Sequence, residues 1–229
     1  MNKATLDEAR GLITEVGRIM LERNLTDLAG GNISVRVDDK VVMSPSYAGT
    51  RKFWQLKSQD VLVLDLQGNL LEGSGKVSRE APTHLKLLNA FYPKGQAVIH
   101  AHARNVMVFC ATRQTIPPVL EYAYKFGEIS LAEYARGGIQ NEQLAENVYK
   151  ALCGQEERMA KQAAAVMVPW HGLFAIGKDL YAALDAVERI EVNARCILYG
   201  KMLLNDEDKL YRSRHDLAKH LEAASGDGE

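Results

Sequence analysis

With 229 residues, 47% of them hydrophobic and 25% charged, the chain has an ordinary globular composition and the length for one domain around a single core. Lys and Arg number 28 against 29 Asp and Glu, and the absence of a basic run argues against a nucleic-acid footprint. Three scattered cysteines, Cys110, Cys153 and Cys196, argue against a disulfide framework; with no signal-peptide core or membrane-length apolar stretch, a cytoplasmic protein is expected.

Thr5 with Glu8 forms a capping-box signature, and Leu6, Ala9, Ile13, Val16 and Met20 recur at helical spacing, predicting a helix to about Glu22. Leu28 to Val37 enters a strand through Gly30-Gly31, Asp38 to Lys40 turns, and Val41 to Ser44 returns, a hairpin. Ser44 to Lys52 reads as a loop rich in hydroxyls, glycine and base. Val61 to Leu66 and Leu70-Leu71 make a second hairpin, ended by Gly73-Ser74-Gly75. Ser78 precedes a helix whose first turn holds Glu80 and Pro82; Leu85, Leu88 and Phe91 are its core stripe, and Pro93-Lys94-Gly95 stops it.

Ala97 to Ala103 has the short apolar run of a buried strand, and because strand side chains alternate, His100 and His102 share a face. Asn105 to Arg113 is predicted helical, Ile116-Pro117-Pro118 opens an irregular stretch through Tyr122 and Tyr124, and residues 140 to 152 form a helix. Ala163 to Val168 is a strand reaching His171, and Leu173 to Ile176 is its return. Asp179 caps a last helix running to about Leu204, followed by a charged tail in which His215 and His220 face solvent. Hairpins flanked by helices predict a mixed, largely antiparallel sheet between helical layers, in one domain with a polar tail from about 205.

Two imidazoles on one strand face, Glu80 at a helix start and His171 before a strand offer three neutral nitrogens and a carboxylate, a tetrahedral set of the kind zinc accepts. Such an ion polarises a carbonyl, and Glu80 is a candidate ligand, general base, or both in turn. His84, one helical turn from Glu80, is left outside the ligand set as a supporting or core histidine. The glycine-rich stretches Gly30-Gly31-Asn32 and Gly75-Lys76-Val77-Ser78 expose backbone N–H groups suited to small anions, and Ser78 before a helix is a candidate phosphate contact.

Taken in order, Gly31-Asn32-Ile33-Ser34, Ser44-Pro45-Ser46, Gly75 to Glu80, His100-Ala101-His102 and His171-Gly172 resemble the class II aldolase/adducin family, across roughly residues 5 to 200. The resemblance implies a three-layer α/β/α fold and a homotetramer with active sites between subunits. It further implies one zinc per subunit on His100, His102 and His171, with Glu80 moving the proton and a neighbouring subunit's tyrosine serving the aldehyde oxygen. The expected reaction is cleavage of a phosphorylated ketose to dihydroxyacetone phosphate and an aldehyde through a metal-bound enediolate. A 4-epimerase, a dehydratase and a non-catalytic adducin-like module are the alternatives within the family. Asn32, Ser46, Ser78 and Arg79 are the expected anion contacts. The tyrosine is Tyr122 if Pro118 is aligned with the family proline, Tyr124 is a further candidate, and aligning Pro117 puts Glu121 there instead. The chain departs from the family's Pro-Ser-Ser-Glu with Val77-Ser78-Arg79-Glu80, and its loop after Ser44-Pro45 is longer.

Overall fold

The computed structural model describes residues 5–135, 142–204, 212, 214–219 and 221. Helix α1 (Leu6–Glu22) leads into β1 (Asn32–Val37) and β2 (Lys40–Met43). A short helix α2 (Ala48–Lys52) precedes β3 (Leu62–Asp65) and β4 (Leu70–Glu72). Then follow α3 (Ala81–Phe91), β5 (Ala97–Ala101), α4 (Arg104–Thr112), a 3₁₀ turn at Glu121–Phe126, α5 (Glu142–Leu152) and α6 (Glu156–Lys161). The chain closes with β6 (Ala163–Val168), β7 (Gly172–Gly177) and α7 (Leu180–Leu204). The strands form one sheet in the order β4-β3-β2-β1-β5-β7-β6, and each pairing between them is antiparallel. Among the described residues, the parallel contribution expected of a mixed sheet is the isolated bridge between Leu131 and Met167.

Alternation along the central strands divides the interior in two, which makes the architecture three-layered. Ile33, Ala97, Ile99 and Ala175 point toward α1, α4 and α7, joining Ile13, Met20, Phe109 and Ile190 in one apolar cluster. Val98, Phe174 and Ile176 point the other way, toward α3, α5 and α6, with Leu87, Leu88, Leu144 and Met159. Helix α1 starts where its sequence says: Glu8 N donates to Thr5 Oγ1 at 3.2 Å, and Thr5 N donates to Glu8 Oε2 at 2.6 Å.

Three differences from the sequence reading have local causes. The loop after Ser44 contains α2, held in by Trp54, which is fully buried and donates its indole N–H to Asp27 O at 3.2 Å. Gly17 on α1 makes that possible, since a Cβ there would lie 2.5 Å from the Trp54 ring. Helix α6 is one short piece with Met159 as its buried anchor, too brief to show a period. On α3 the buried face is His84, Leu87, Leu88 and Phe91, with Leu85 only partly covered, because Leu87 fills the apolar layer against the sheet.

Candidate metal centre

The antiparallel register that pairs Asn32 with His100 and Ser34 with Val98 sets Asn32, Ser34 and His100 on the α3 side of the sheet. His102 lies just past the end of β5, and His171 sits in the β6–β7 turn, where Trp170 takes a left-handed φ of 59°. Glu80 is the N-cap residue of α3, but its side chain makes no capping bond and extends into the interior. The loop, the strand end and the turn thereby meet over one end of the central strands.

The side chains converge. One nitrogen from each of His100, His102 and His171 lies within 4.8 Å of the others. His100 Nε2 and His102 Nε2 are 3.1 Å apart, Glu80 Oε1 is 2.6 Å from His171 Nε2, and the same oxygen is 3.5 Å from His100 Nε2. Zinc–nitrogen bonds of 2.0–2.1 Å at tetrahedral angles separate ligand nitrogens by about 3.3 Å. The spacings therefore suit a small divalent cation, and the donor set of neutral imidazoles with one carboxylate suits zinc.

Hydrogen bonds to the other ring nitrogens favour that arrangement. His100 Nδ1 faces Leu173 O at 3.0 Å, so its proton belongs on Nδ1 and Nε2 is left as a lone pair. Burial pushes His100 down to about 3, against the pull of Glu80, which keeps the imidazole neutral. Burial also draws the Glu80 carboxyl upward, but proximity to His100 and hydrogen bonds from His171 and Asn32 outweigh it and hold the group well below its usual range. Asn32 Nδ2 donates to Glu80 Oε2 at 2.5 Å, whereas Asn32 Oδ1 is buried with no partner among the described residues. His84 is wholly buried, its Nδ1 2.6 Å from Ser34 Oγ, and burial lowers it to about 4. It therefore stands beside the cluster as a neutral core histidine, as expected; exposed His215 also follows expectation, and His220 lies outside the described residues.

Of the expected anion contacts, Asn32 joins the histidine cluster directly. Ser78 Oγ accepts the Glu80 N–H at 3.2 Å, linking its loop to the carboxylate. Ser46 N donates to Lys76 O at 2.8 Å, and Ser46 lines a pocket of about 470 Å³ with Tyr47, Arg51, Lys52 and Lys76. Lys52 is paired with Asp60 at 3.1 Å, while Arg51 and Lys76 form no ion pair among the described residues; Arg51 lies over the Tyr47 ring at 4.6 Å. Arg79 is exposed and forms no ion pair among the described residues. A second recess of about 380 Å³, between α4 and α7, holds none of the expected site residues.

Glu121, Tyr122 and Tyr124 are not drawn into the cluster within one chain. Their 3₁₀ turn packs on α7, with the Arg189 guanidinium 5.1 Å from the Tyr122 ring and Tyr124 Oη donating to Arg214 O at 3.3 Å. Sequence reasoning missed Asp27, whose carboxylate faces His102 Nδ1, and Glu191, whose carboxylate caps α4 immediately after the histidine arm. An Asp before a glycine pair is a turn signal that carries no hint of a histidine 75 positions on.

A 3-oxo-tetronate 4-phosphate decarboxylase of Haemophilus influenzae is 30% identical over 192 residues, covering 80% of this chain and 84% of that protein. A 5-deoxy-D-ribulose 1-phosphate aldolase of Bacillus thuringiensis serovar kurstaki is 28% identical over 228 residues, covering 95% and 97%. The solved structure of an L-fuculose 1-phosphate aldolase superposes with a TM-score of 0.75 at 26% identity, covering 92% of this chain and 96% of that one. The model of the class II aldolase and adducin N-terminal domain matches residues 12–198, and the chain belongs to that family.

Proposed function

We propose that the protein is a zinc-dependent lyase that cleaves a phosphorylated ketose to dihydroxyacetone phosphate and an aldehyde. The observation that carries this reading is the convergence of nitrogens from His100, His102 and His171 with the Glu80 carboxylate alongside. His100, His102 and His171 would hold the zinc, which would supply a Lewis acid for the substrate carbonyl and for the negative charge left by carbon–carbon cleavage. Glu80 is ionised, its Oε2 held by the Asn32 amide, and moves the proton at the carbon next to the carbonyl. The unpartnered Asn32 Oδ1 is reserved for a substrate hydroxyl, because an unsatisfied buried acceptor costs about 1–3 kcal/mol. Ser46, Ser78 and Arg79 take the anionic end, with Arg51 and Lys76 adding positive charge to the pocket. Tyr122 serves the aldehyde oxygen of a neighbouring copy in a homotetramer, which accounts for its position away from its own chain's histidines.

A second reading is supported by the decarboxylase relative. Loss of carbon dioxide from a 3-oxo acid phosphate also breaks a bond next to a carbonyl and leaves the same kind of electron pair, so the histidines and Glu80 serve either reaction. The test is metal analysis of the purified protein, with about one zinc per subunit expected, followed by assays on ketose 1-phosphates and 3-oxo acid 4-phosphates. Release of an aldehyde with dihydroxyacetone phosphate from a ketose 1-phosphate upholds the aldolase; turnover of the oxo acid alone, to carbon dioxide and the same triose phosphate, replaces it with the decarboxylase. Glu80→Gln is expected to slow solvent deuterium exchange into dihydroxyacetone phosphate by ~10²–10⁴-fold. Undiminished exchange removes Glu80 from the mechanism.

A further inference from the structure

We propose that Asp27 is a positioning residue for the metal centre, its carboxylate holding His102 in the tautomer that leaves Nε2 free for a divalent cation. The inference rests on the zinc-lyase reading and adds to it a residue outside the ligand set.

The His102 ring is placed between two partners. Its Nε2 lies 3.1 Å from His100 Nε2, toward the cluster, while both carboxylate oxygens of Asp27 lie 3.4 Å from its Nδ1. An ionised carboxylate can only accept, so the proton belongs on Nδ1 and the lone pair on Nε2. Nothing else among the described residues hydrogen-bonds Nδ1 of His102. His100 solves the same problem with an uncharged carbonyl, Leu173 O, in a site that excludes water. His102 is the more open of the two, where water competes for Nδ1, and there a charged acceptor fixes the tautomer more firmly than a carbonyl does.

Asp27 is also held in place for this task, although its side chain is half-exposed. Its Oδ1 accepts the N–H groups of Ala29 and Gly30, both at 2.8 Å, and its carbonyl accepts the indole N–H of buried Trp54. Thr26 Oγ1 closes the turn onto Gly30 O at 3.1 Å. Gly30 itself gives the imidazole room, since a Cβ there would lie 1.9 Å from His102 Cε1. The turn from Thr26 to Gly30 thus grips the ring from its outer side, with glycine under it and a carboxylate at its Nδ1.

A purely structural Asp27 would do no more than close this turn, and Asp27→Asn separates the two roles. The amide keeps an oxygen for the Ala29 and Gly30 N–H groups, but it removes the charge and offers N–H to Nδ1, which selects the wrong tautomer. Zinc dissociation constants are measured by chelator competition on the full-length wild type, Asp27→Asn and His102→Ala, with circular dichroism and melting as fold controls. The expected result is a wild-type fold for Asp27→Asn with zinc affinity reduced about 10–100-fold, and a larger loss for His102→Ala. Asp27→Asn binding zinc like the wild type overturns the role of Asp27 while leaving the histidine site intact. A wild type that binds no zinc overturns the metal reading itself. Should Asp27→Asn fail to fold, long-range ¹H–¹⁵N spectra of the metal-free wild type at neutral pH decide. His102 protonated at Nδ1 upholds the proposal, and the Nε2–H tautomer overturns it.

Discussion

Helix α4 begins two residues after His102, and a buried carboxylate from α7 sets where it begins. Glu191 is 8% exposed and accepts the N–H groups of Asn105 and Val106 at 2.9–3.0 Å and the Asn105 side-chain amide at 2.5 Å. Glu191→Ala removes the cap of α4 and leaves three donors inside the protein. Loss of a cap costs about 0.5–2 kcal/mol, and each stranded buried donor about 1–3 kcal/mol before relaxation. Because the cavity admits some water and the terms overlap, about 3 kcal/mol is the expected total. For a chain of this length that lowers the melting midpoint by about 6–12 °C. Glu191→Gln keeps one oxygen as acceptor and should fall about halfway. The assay is thermal unfolding by circular dichroism at one fixed protein concentration with excess chelator, so that assembly and metal binding do not shift the midpoint. An alanine variant melting within about 2 °C of wild type would refute the argument that Glu191 organises the chain after His102.

Arg79→Ala should raise KM for the phosphorylated ketose by the loss of a charge-assisted contact, roughly 1.5–3 kcal/mol, and leave the non-phosphorylated sugar unchanged. Equal effects on both sugars, or none, would remove Arg79 from the anion subsite. Asp185 accepts from Arg189 Nε at 2.5 Å, Gln162 Nε2 at 2.8 Å and Lys125 Nζ at 3.1 Å; burial draws its carboxyl upward, but Arg189 and Lys125 outweigh this and hold it below the usual range. A carboxyl lowered on folding adds stability above its unfolded value near 4 and loses it as pH falls through the folded value, so the melting midpoint should drop below about pH 4. That drop should be shallower in Asp185→Asn, although the contribution of these part-exposed ion pairs stays below about 1 kcal/mol.

His100 was legible because a strand's two-residue period is geometric: once Ala97–Ala101 is a strand, His100 shares its face with Asn32 across the register, whereas His102 was expected on a strand reaching Ala103 and instead lies just past the strand's end. Glu80 was legible as a helix start, and its turn into the core follows from the N-cap position, where the backbone leaves helical geometry. Helix α1 announced itself through Thr5 and Glu8, and α7 through its apolar repeat. What stayed hidden depends on distant partners. Helix α2 exists because Trp54 packs against Gly17, and no local pattern records that contact. Asp27 and Glu191 reach His102 and Asn105 across 75 and 86 positions, and an acidic residue in a sequence does not say which N–H it serves.

The same distinction bears on which reaction the site performs. Removing an aldehyde requires a proton to leave a substrate hydroxyl, whereas removing carbon dioxide from a carboxylate does not, so the group that divides the two readings is whatever faces the leaving group. On the aldolase reading that is the 3₁₀ turn of Glu121–Phe126, and its position is fixed from within the fold. Asn193, 2% exposed on α7, accepts the N–H groups of Val119 and Leu120 at 2.9 and 3.2 Å and donates to Pro117 O at 2.8 Å. Three hydrogen bonds to one buried amide clamp a segment that makes none to its own chain's histidines among the described residues. On the proposed aldolase reading, that rigidity suits a turn that presents Tyr122 at a set place to another copy. Glu191, two positions earlier on α7, clamps the segment following His102, so a single stretch of that helix fixes both the histidine arm and the tyrosine turn.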